Sequence, residues 1–353
     1  MLKHMKKTIA VIFCASLCFQ GIGQDVHFSQ TTVAPININP AMTGLFAGNQ
    51  RASLVYKDQW KSFGSGFTTY GFSFDSEINK KKWQSGYLGV GLHAFSDVAG
   101  ENKLGTTKVL LSLSSILHLD DNNELSVGLQ GGFAQNSINP GSMEWGDQYA
   151  AGVYNPLIQS QDQLDYTPFF YADFNAGIGW SYERGESQIR SYDIRRMEGG
   201  IAYHHVNRPS LNFAGQTEKM YSKLIVHFNG LIGMDNTNGA ILPSFMVALQ
   251  GPSKEIVMGA MFRIRMDEAA KITGFITEQA IAFGAHYRWK DSFIPAIWYE
   301  ANKLTFGLSY DVNTSPLNVA SNLRGGFEVF VRFVNPNPFY YKKLSRGRTK
   351  PSL

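Results

Sequence analysis

From residue 51 onward the chain repeatedly alternates apolar and polar positions with a period of two. Leu304, Phe306, Leu308 and Tyr310 share one parity, and Lys303, Thr305, Ser309 and Asp311 share the other. Phe174, Ala176, Ile178, Trp180 and Tyr182 alternate with Asp173, Asn175, Gly177, Gly179 and Ser181. Leu125, Val127, Leu129 and Phe133 stand opposite Ser126, Gly128, Gln130 and Gly132. Successive side chains of an extended strand point to opposite faces, so each stretch reads as a strand with one greasy and one wet face.

About fourteen such segments can be marked: 51–60, 66–74, 86–97, 104–118, 123–135, 172–183, 197–206, 222–230, 241–250, 255–266, 279–289, 292–300, 302–311 and 325–334. An even number of strands, each near the roughly 9–11 residues that a tilted strand needs to cross a bilayer, predicts an all-β fold: a single transmembrane antiparallel β-barrel. No stretch of 18 apolar residues follows the N-terminal region, so a helical span is not expected. Pro243 and Pro295 each remove a ladder donor, and Pro295 predicts a bulge or a late strand start. Trp60, Trp180, Trp289, Trp298, Tyr310 and Phe333 gather near strand ends, as the aromatic belts of membrane barrels do. A soluble β-sandwich or solenoid is the competing fold. It lacks support, because no fixed repeat and no Pro/Ser linker divides the chain.

Composition agrees with a barrel: 35 glycines, 13% aromatic and only 17% charged residues. Residues 1–23 read as a secretory signal, with Lys3, Lys6 and Lys7 before an apolar core at Ile9–Phe19 and cleavage expected after Gly23. Both cysteines, Cys14 and Cys18, fall inside it, so no disulfide, thiol nucleophile or thiolate metal site is expected afterwards. Removing three lysines from the 32 basic residues leaves 29 against 28 acidic ones, which argues against a nucleic-acid partner.

With the N-terminus periplasmic, the longest connections, Asn136–Tyr171 and Asn207–Tyr221, fall on the outer side, as is usual for such barrels. The first carries Glu144, Asp147, Asp162 and Asp165 and no Lys or Arg. The inner turns and tail are basic: Lys80–Lys82, Arg195–Arg196, Lys342, Lys343, Arg346, Arg348 and Lys350. No catalytic constellation is legible. His204 and His205 are adjacent on a strand and should point to opposite faces, so they should not share a metal. The four loop acids match no calcium-loop spacing, and the glycines of Gly86–Gly91 precede no helix pattern. The chain reads as non-enzymatic, without cofactor or metal.

One stretch stands apart from the alternation. In Gln24–Gly44, Asn39 suits an N-cap, Pro40 the first helical position and Gly44 a left-handed stop, so NPAMTG predicts a single firmly ended turn. Phe28, Ser29 and Gln30, then Pro35, Asn39-Pro40-Ala41, Gly44, Arg51, Tyr56 and Gln59-Trp60 together resemble the opening of the PorP/SprF family. Residues 86–100 resemble that family's glycine-rich strand, and residues 241–264 its Pro-led strand and hairpin. The closing hairpin resembles it through Tyr310, Asp311, Asn313, Ser315, Leu317, Gly326 and Glu328. The likeness covers about Gln24–Phe333. It implies an outer-membrane component of the type IX secretion system of Bacteroidetes, serving protein export, surface anchoring or gliding adhesins. It further implies contacts with a periplasmic ring, with peptidoglycan-linked proteins and with cargo bearing a C-terminal secretion domain, and it offers the motif residues as partner contacts. The family's terminal Cys-Pro tag is missing here. The expected layout is therefore a signal peptide (1–23), a periplasmic or lumenal lead-in (24–50), an outer-membrane barrel (51–334) and a basic periplasmic tail (335–353). The lead-in is expected at the periplasmic mouth or in the lumen. A passive transport barrel for small or hydrophobic solutes is the alternative function.

Overall fold

The computed structural model describes residues 27–61, 66–79, 85–100, 103–138, 144–150, 153–161, 168–184, 194–213, 216–235, 237–267, 279–316 and 321–335. The predicted signal, Lys80–Lys82, Asp162, Asp165, Leu317 and the tail beyond residue 335 lie outside them.

Alternation becomes architecture in fourteen long strands. They are β1 (Gln50–Gln59), β2 (Phe67–Ile78), β3 (Gly86–Ala99), β4 (Leu104–His118) and β5 (Asn123–Ser137). After the short hairpin β6 (Tyr149–Ala150) and β7 (Val153–Tyr154) come β8 (Phe169–Arg184) and β9 (Arg195–His204). A second hairpin, β10 (Ser210–Phe213) and β11 (Gln216–Lys219), precedes β12 (Lys223–Gly233), β13 (Gly239–Gln250) and β14 (Ser253–Asp267). The last four are β15 (Gln279–Arg288), β16 (Ser292–Ala301), β17 (Leu304–Asn313) and β18 (Arg324–Asn335). Every pairing between these fourteen is antiparallel, and β1 closes onto β18 to complete a barrel. Among the described residues no helix is long and apolar enough to cross a membrane.

The barrel is inside-out relative to a soluble core. On β17, Leu304, Phe306, Leu308 and Tyr310 are each about two-fifths exposed, whereas Thr305, Ser309, Asp311 and Asn313 are buried. The outward face is a hydrocarbon-compatible band, and the polar face lines the lumen. The even strand number puts the start of β1 and the end of β18 at one rim, called the near end below. The long β5–β8 and β9–β12 connections lie at the opposite rim, the far end.

Two expectations about the wall are corrected. Pro295 marks neither a bulge nor a late start, because β16 keeps one register against β17 from Phe293↔Val312 to Ala296↔Ser309 and merely skips the pairs between. Pro243 acts the same way toward β12, between Asn229↔Ser244 and Ile232↔Ile241. Each ring aims its missing donor at one neighbour while the other ladder stays intact. Trp298 does not belong to an aromatic belt. It is buried on the lumenal face and packs edge-on against Phe330.

Candidate functional site

The lumen is filled by the chain's own residues 27–46. Pro35 opens one helical turn, Pro35–Ile38, and Pro40–Met42 form a 3-10 turn. Asn39 caps the second turn by accepting a hydrogen bond from the Ala41 N–H (2.9 Å), and Gly44 then takes the left-handed conformation at φ +69°. Pro35 and Pro40 fix φ, so the segment is ordered locally before the wall touches it.

Three layers of contact hold this plug. At the far end, the Glu328 carboxylate accepts the backbone N–H of Ser29 (2.6 Å) and of Gln30 (3.0 Å). Ser29 Oγ donates to Asp311 Oδ2 (2.8 Å) and accepts from Arg288 Nη2 (3.1 Å). Arg288 also reaches Asp311 Oδ2 (3.2 Å) and Asp291 Oδ2 (2.8 Å). Lys57 Nζ donates to the His27 carbonyl (3.0 Å) and lies 4.0 Å from Asp311. Deeper in the lumen, the Gln30 side-chain carbonyl accepts from the Trp298 indole N–H. Each buried charge thus has opposite charge or backbone dipoles beside it, which is what makes such burial tolerable. Burial, together with the positive charges of Lys57, Arg288 and Lys223, holds the His27 imidazole well below its ordinary value, so it is neutral.

At mid-height, Asn39 Nδ2 donates to the Ile178 carbonyl (3.0 Å) and lies 3.1 Å from His227 Nε2. The wall makes room here with glycine. A Cβ on Gly128 would collide with the Pro40–Ala41 backbone, and one on Gly177 with the Asn39 amide oxygen. Near the opposite rim, Asp75 accepts from Gly44 N (2.9 Å) and from Arg51 Nε (3.0 Å), while Arg51 Nη2 donates to the Met42 carbonyl (3.1 Å). Ser114 Oγ donates to the Thr43 carbonyl (2.5 Å).

Apolar contacts run between these polar layers. Phe28 and Val33 share a buried cluster with Val55, Met261, Trp298 and Phe330. Met42 and Leu45 share another with Tyr87 and Ile116. Beside His27 and Phe28 lies a cavity of about 30 Å³ whose lining mixes polar groups such as Lys108, Asp173 and His204 with apolar ones such as Phe95, Leu110 and Ile225. That is room for roughly two waters.

The motif residues read from sequence divide by this geometry. Phe28, Ser29, Gln30, Pro35, Asn39, Pro40, Ala41 and Gly44 are all buried plug residues, and Asp311 and Glu328 are their receptors on the wall. Seated this way, Asn39, Pro40 and Ala41 present no side chain to a partner. Asn313 does different work, since its Oδ1 accepts from Ser315 N (2.9 Å) and Oγ (2.6 Å) and shapes the far loop. Gln59 pairs with Gly326 at the far end of β1, where Trp60 N donates to the Gly325 carbonyl (2.9 Å). Tyr310 points outward, away from the plug.

Several plug contacts were not legible in sequence: Lys57, Asp75, Ser114, Arg288 and Trp298. The two histidines are corrected as well. β9 ends at His204, and His205 has φ +55°, so both side chains turn inward. His204 Nε2 lies 2.9 Å from the Ile38 carbonyl, and His205 Nδ1 lies 2.7 Å from Asp173. Among the described residues no cluster of His, Cys, Asp or Glu could hold a metal ion.

Fold and site together define a membrane β-barrel closed by its own N-terminal segment. Residues 21–333 match the family described as type IX secretion system membrane protein PorP/SprF, and the chain belongs to that family. No curated protein matches it. Among solved structures, the P. putida toluene transporter TodX is similar at 8% identity and a TM-score of 0.44, over 85% of this chain and 92% of that one. The translocator domain of the autotransporter NalP from Neisseria meningitidis is similar at 11% identity and 0.34, over 94% and 95%. BamA from Haemophilus ducreyi is similar at 11% and 0.38, over 81% and 70%.

Proposed function

We propose that this chain is a non-enzymatic outer-membrane component of the type IX secretion system, supporting export or surface anchoring of secreted proteins or gliding adhesins through protein–protein contacts. Its partners on this reading are the periplasmic ring, peptidoglycan-linked proteins and cargo with a C-terminal secretion domain. The far end faces the cell exterior, because it carries the long connections. Beyond family membership, the observation that carries the reading is the filled lumen. A barrel whose lumen is taken up by a buried segment packed against the wall from Phe28 to Phe46 is a poor conduit, so its work is done by the surfaces it shows to other proteins. The same filling weakens the alternative of passive solute transport.

The test is deletion of the chain followed by comparison of the proteins secreted into the medium, with the intact chain and an Asn39-Pro40-Ala41→Gly-Ser-Gly variant restored in parallel. Deletion is expected to deplete a defined set of secreted proteins, and the intact chain to restore them together with co-purification of periplasmic partners. An unchanged secreted set refutes the reading. Rapid swelling of liposomes containing the intact purified chain would favour the transport barrel instead.

A further inference from the structure

We infer that the plug starts at the far mouth of the lumen, where His27 sits, and runs through to the near rim, so the plug's start and the end of β18 lie on opposite sides of the membrane. The evidence is the height at which each plug residue meets the wall. His27 and Ser29 are held by Lys57, two residues before the far end of β1, and by Arg288, the last residue of β15, whose far end it is. The cavity beside His27 is lined by Lys223 and Glu255, at the far ends of β12 and β14. Asn39 is held at mid-height by β8 and β12. Gly44 meets Asp75, three residues from the near end of β2, and Asn49 N donates to the carbonyl of Asn335, the last residue of β18 (2.9 Å).

From His27 to Asn49 the chain therefore descends the whole lumen before β1 starts back up. Fourteen strands alone would return both ends to one side. The lumenal pass adds one more traverse, and an odd total separates them. A partner at the near rim meets only the few residues that run into β1. A partner at the far rim can reach the plug's start at His27 without disturbing a single ladder hydrogen bond. The far-end contacts of His27, Ser29 and Gln30 are also the first that a pull from that side would strain. The placement depends neither on the proposed role in secretion nor on which side is the cell exterior.

The experiment compares three copies of one epitope tag in the full chain: between Gln24 and Asp25, in the far turn at Gly251–Pro252, and in the near turn at Asn302–Lys303. Antibody binding is scored on intact and on permeabilised cells. The N-terminal tag is expected to behave as the far-turn tag does and opposite to the near-turn tag. If it follows the near-turn tag, the inference is wrong. Should the N-terminal insertion block assembly, Asp25→Cys, Pro252→Cys and Asn302→Cys are compared with a membrane-impermeant maleimide. Modification of Asp25→Cys from the side that modifies Asn302→Cys would overturn the inference in the same way.

Discussion

Replacing Glu328 by Gln should loosen the plug while leaving the barrel standing. The carboxylate is buried and its two short hydrogen bonds go to backbone N–H groups of the plug, Ser29 and Gln30. Hydrogen bonds to a charged acceptor contribute about 1.5–3 kcal/mol each, and a buried donor left without a partner costs about 1–3 kcal/mol. Glutamine keeps one carbonyl oxygen for one of the two donors and turns an amide toward the other. The loss is therefore near that of one charge-assisted bond plus the weakening of the second, about 2–3 kcal/mol. None of the ladder between β18 and its neighbours is touched, so the cost falls on the seated plug. A cysteine at Val33, which is almost fully buried, reports that equilibrium. Where thiol modification needs local release, its rate scales with the released fraction. In a background with Cys14→Ser and Cys18→Ser, adding Glu328→Gln to Val33→Cys should speed modification roughly 30- to 150-fold, at about 1.4 kcal/mol per factor of ten. An unchanged rate in a variant that still migrates as a folded barrel would refute the far-end contacts as the plug's main hold.

The remaining predictions probe other parts of the same arrangement. Gly128→Val places a side chain against the Pro40–Ala41 backbone, and overpacking of that kind costs about 1–3 kcal/mol; bilayer conductance should rise, whereas a silent variant would show that the wall yields instead. Leu308→Arg at the lipid-facing surface should cost roughly 2–4 kcal/mol in urea unfolding if the site lies near the midplane, and Leu308→Phe little. Ser309 is no innocuous control for that change, because it is buried beside Glu328 in a filled lumen. For His27 burial holds the folded value below the ordinary 6.5 of a free imidazole, so the released segment binds the extra proton. Plug retention should therefore hold above about 6.5 and weaken as pH falls toward 5, and His27→Asn should remove that share of the slope in the Val33→Cys assay.

The wall was legible because a membrane barrel writes its two environments on alternate residues. Leu304 to Asp311 shows this well: hydrocarbon demands the first set, and only the lumen can take the second. What wets the lumenal face was not legible. Asp311 or Ser126 on a strand looks the same whether it faces water or another stretch of chain. The partner of Glu328 lies 299 residues away at Ser29, beyond any local pattern. Gly128 and Gly177 read as small residues easing a crowded barrel, and only the plug shows what crowds them. Trp298 was misplaced because β16 is apolar on both faces there, with Ile294 and Ala296 inward and Ile297 and Tyr299 outward, so alternation lost its sign. His204 and His205 were misread because the opposite-face rule stops where the strand does.

The chemistry of the plug's seat bears on how such a molecule can be built. An apolar lumen would leave the wall dependent on its plug, since an empty barrel would expose that surface to water. Here much of the seat is charged or polar: Lys57, Asp75, Arg288, Asp311 and Glu328 can each be solvated when the plug is away. Water then offsets much of what the plug supplies, and the fourteen-strand ladder closes on itself without it. Wall and plug are thus two parts with separable stabilities. The plug is held by a few charge-assisted contacts at its two ends and by small apolar clusters between them. A seat made this way is specific, because a displaced plug would strand buried charges opposite the wrong groups. It is also modest in net energy, because each polar contact replaces a contact with water. The plug's retention can therefore change by orders of magnitude through one residue such as Glu328 while the barrel in the membrane stays as it is.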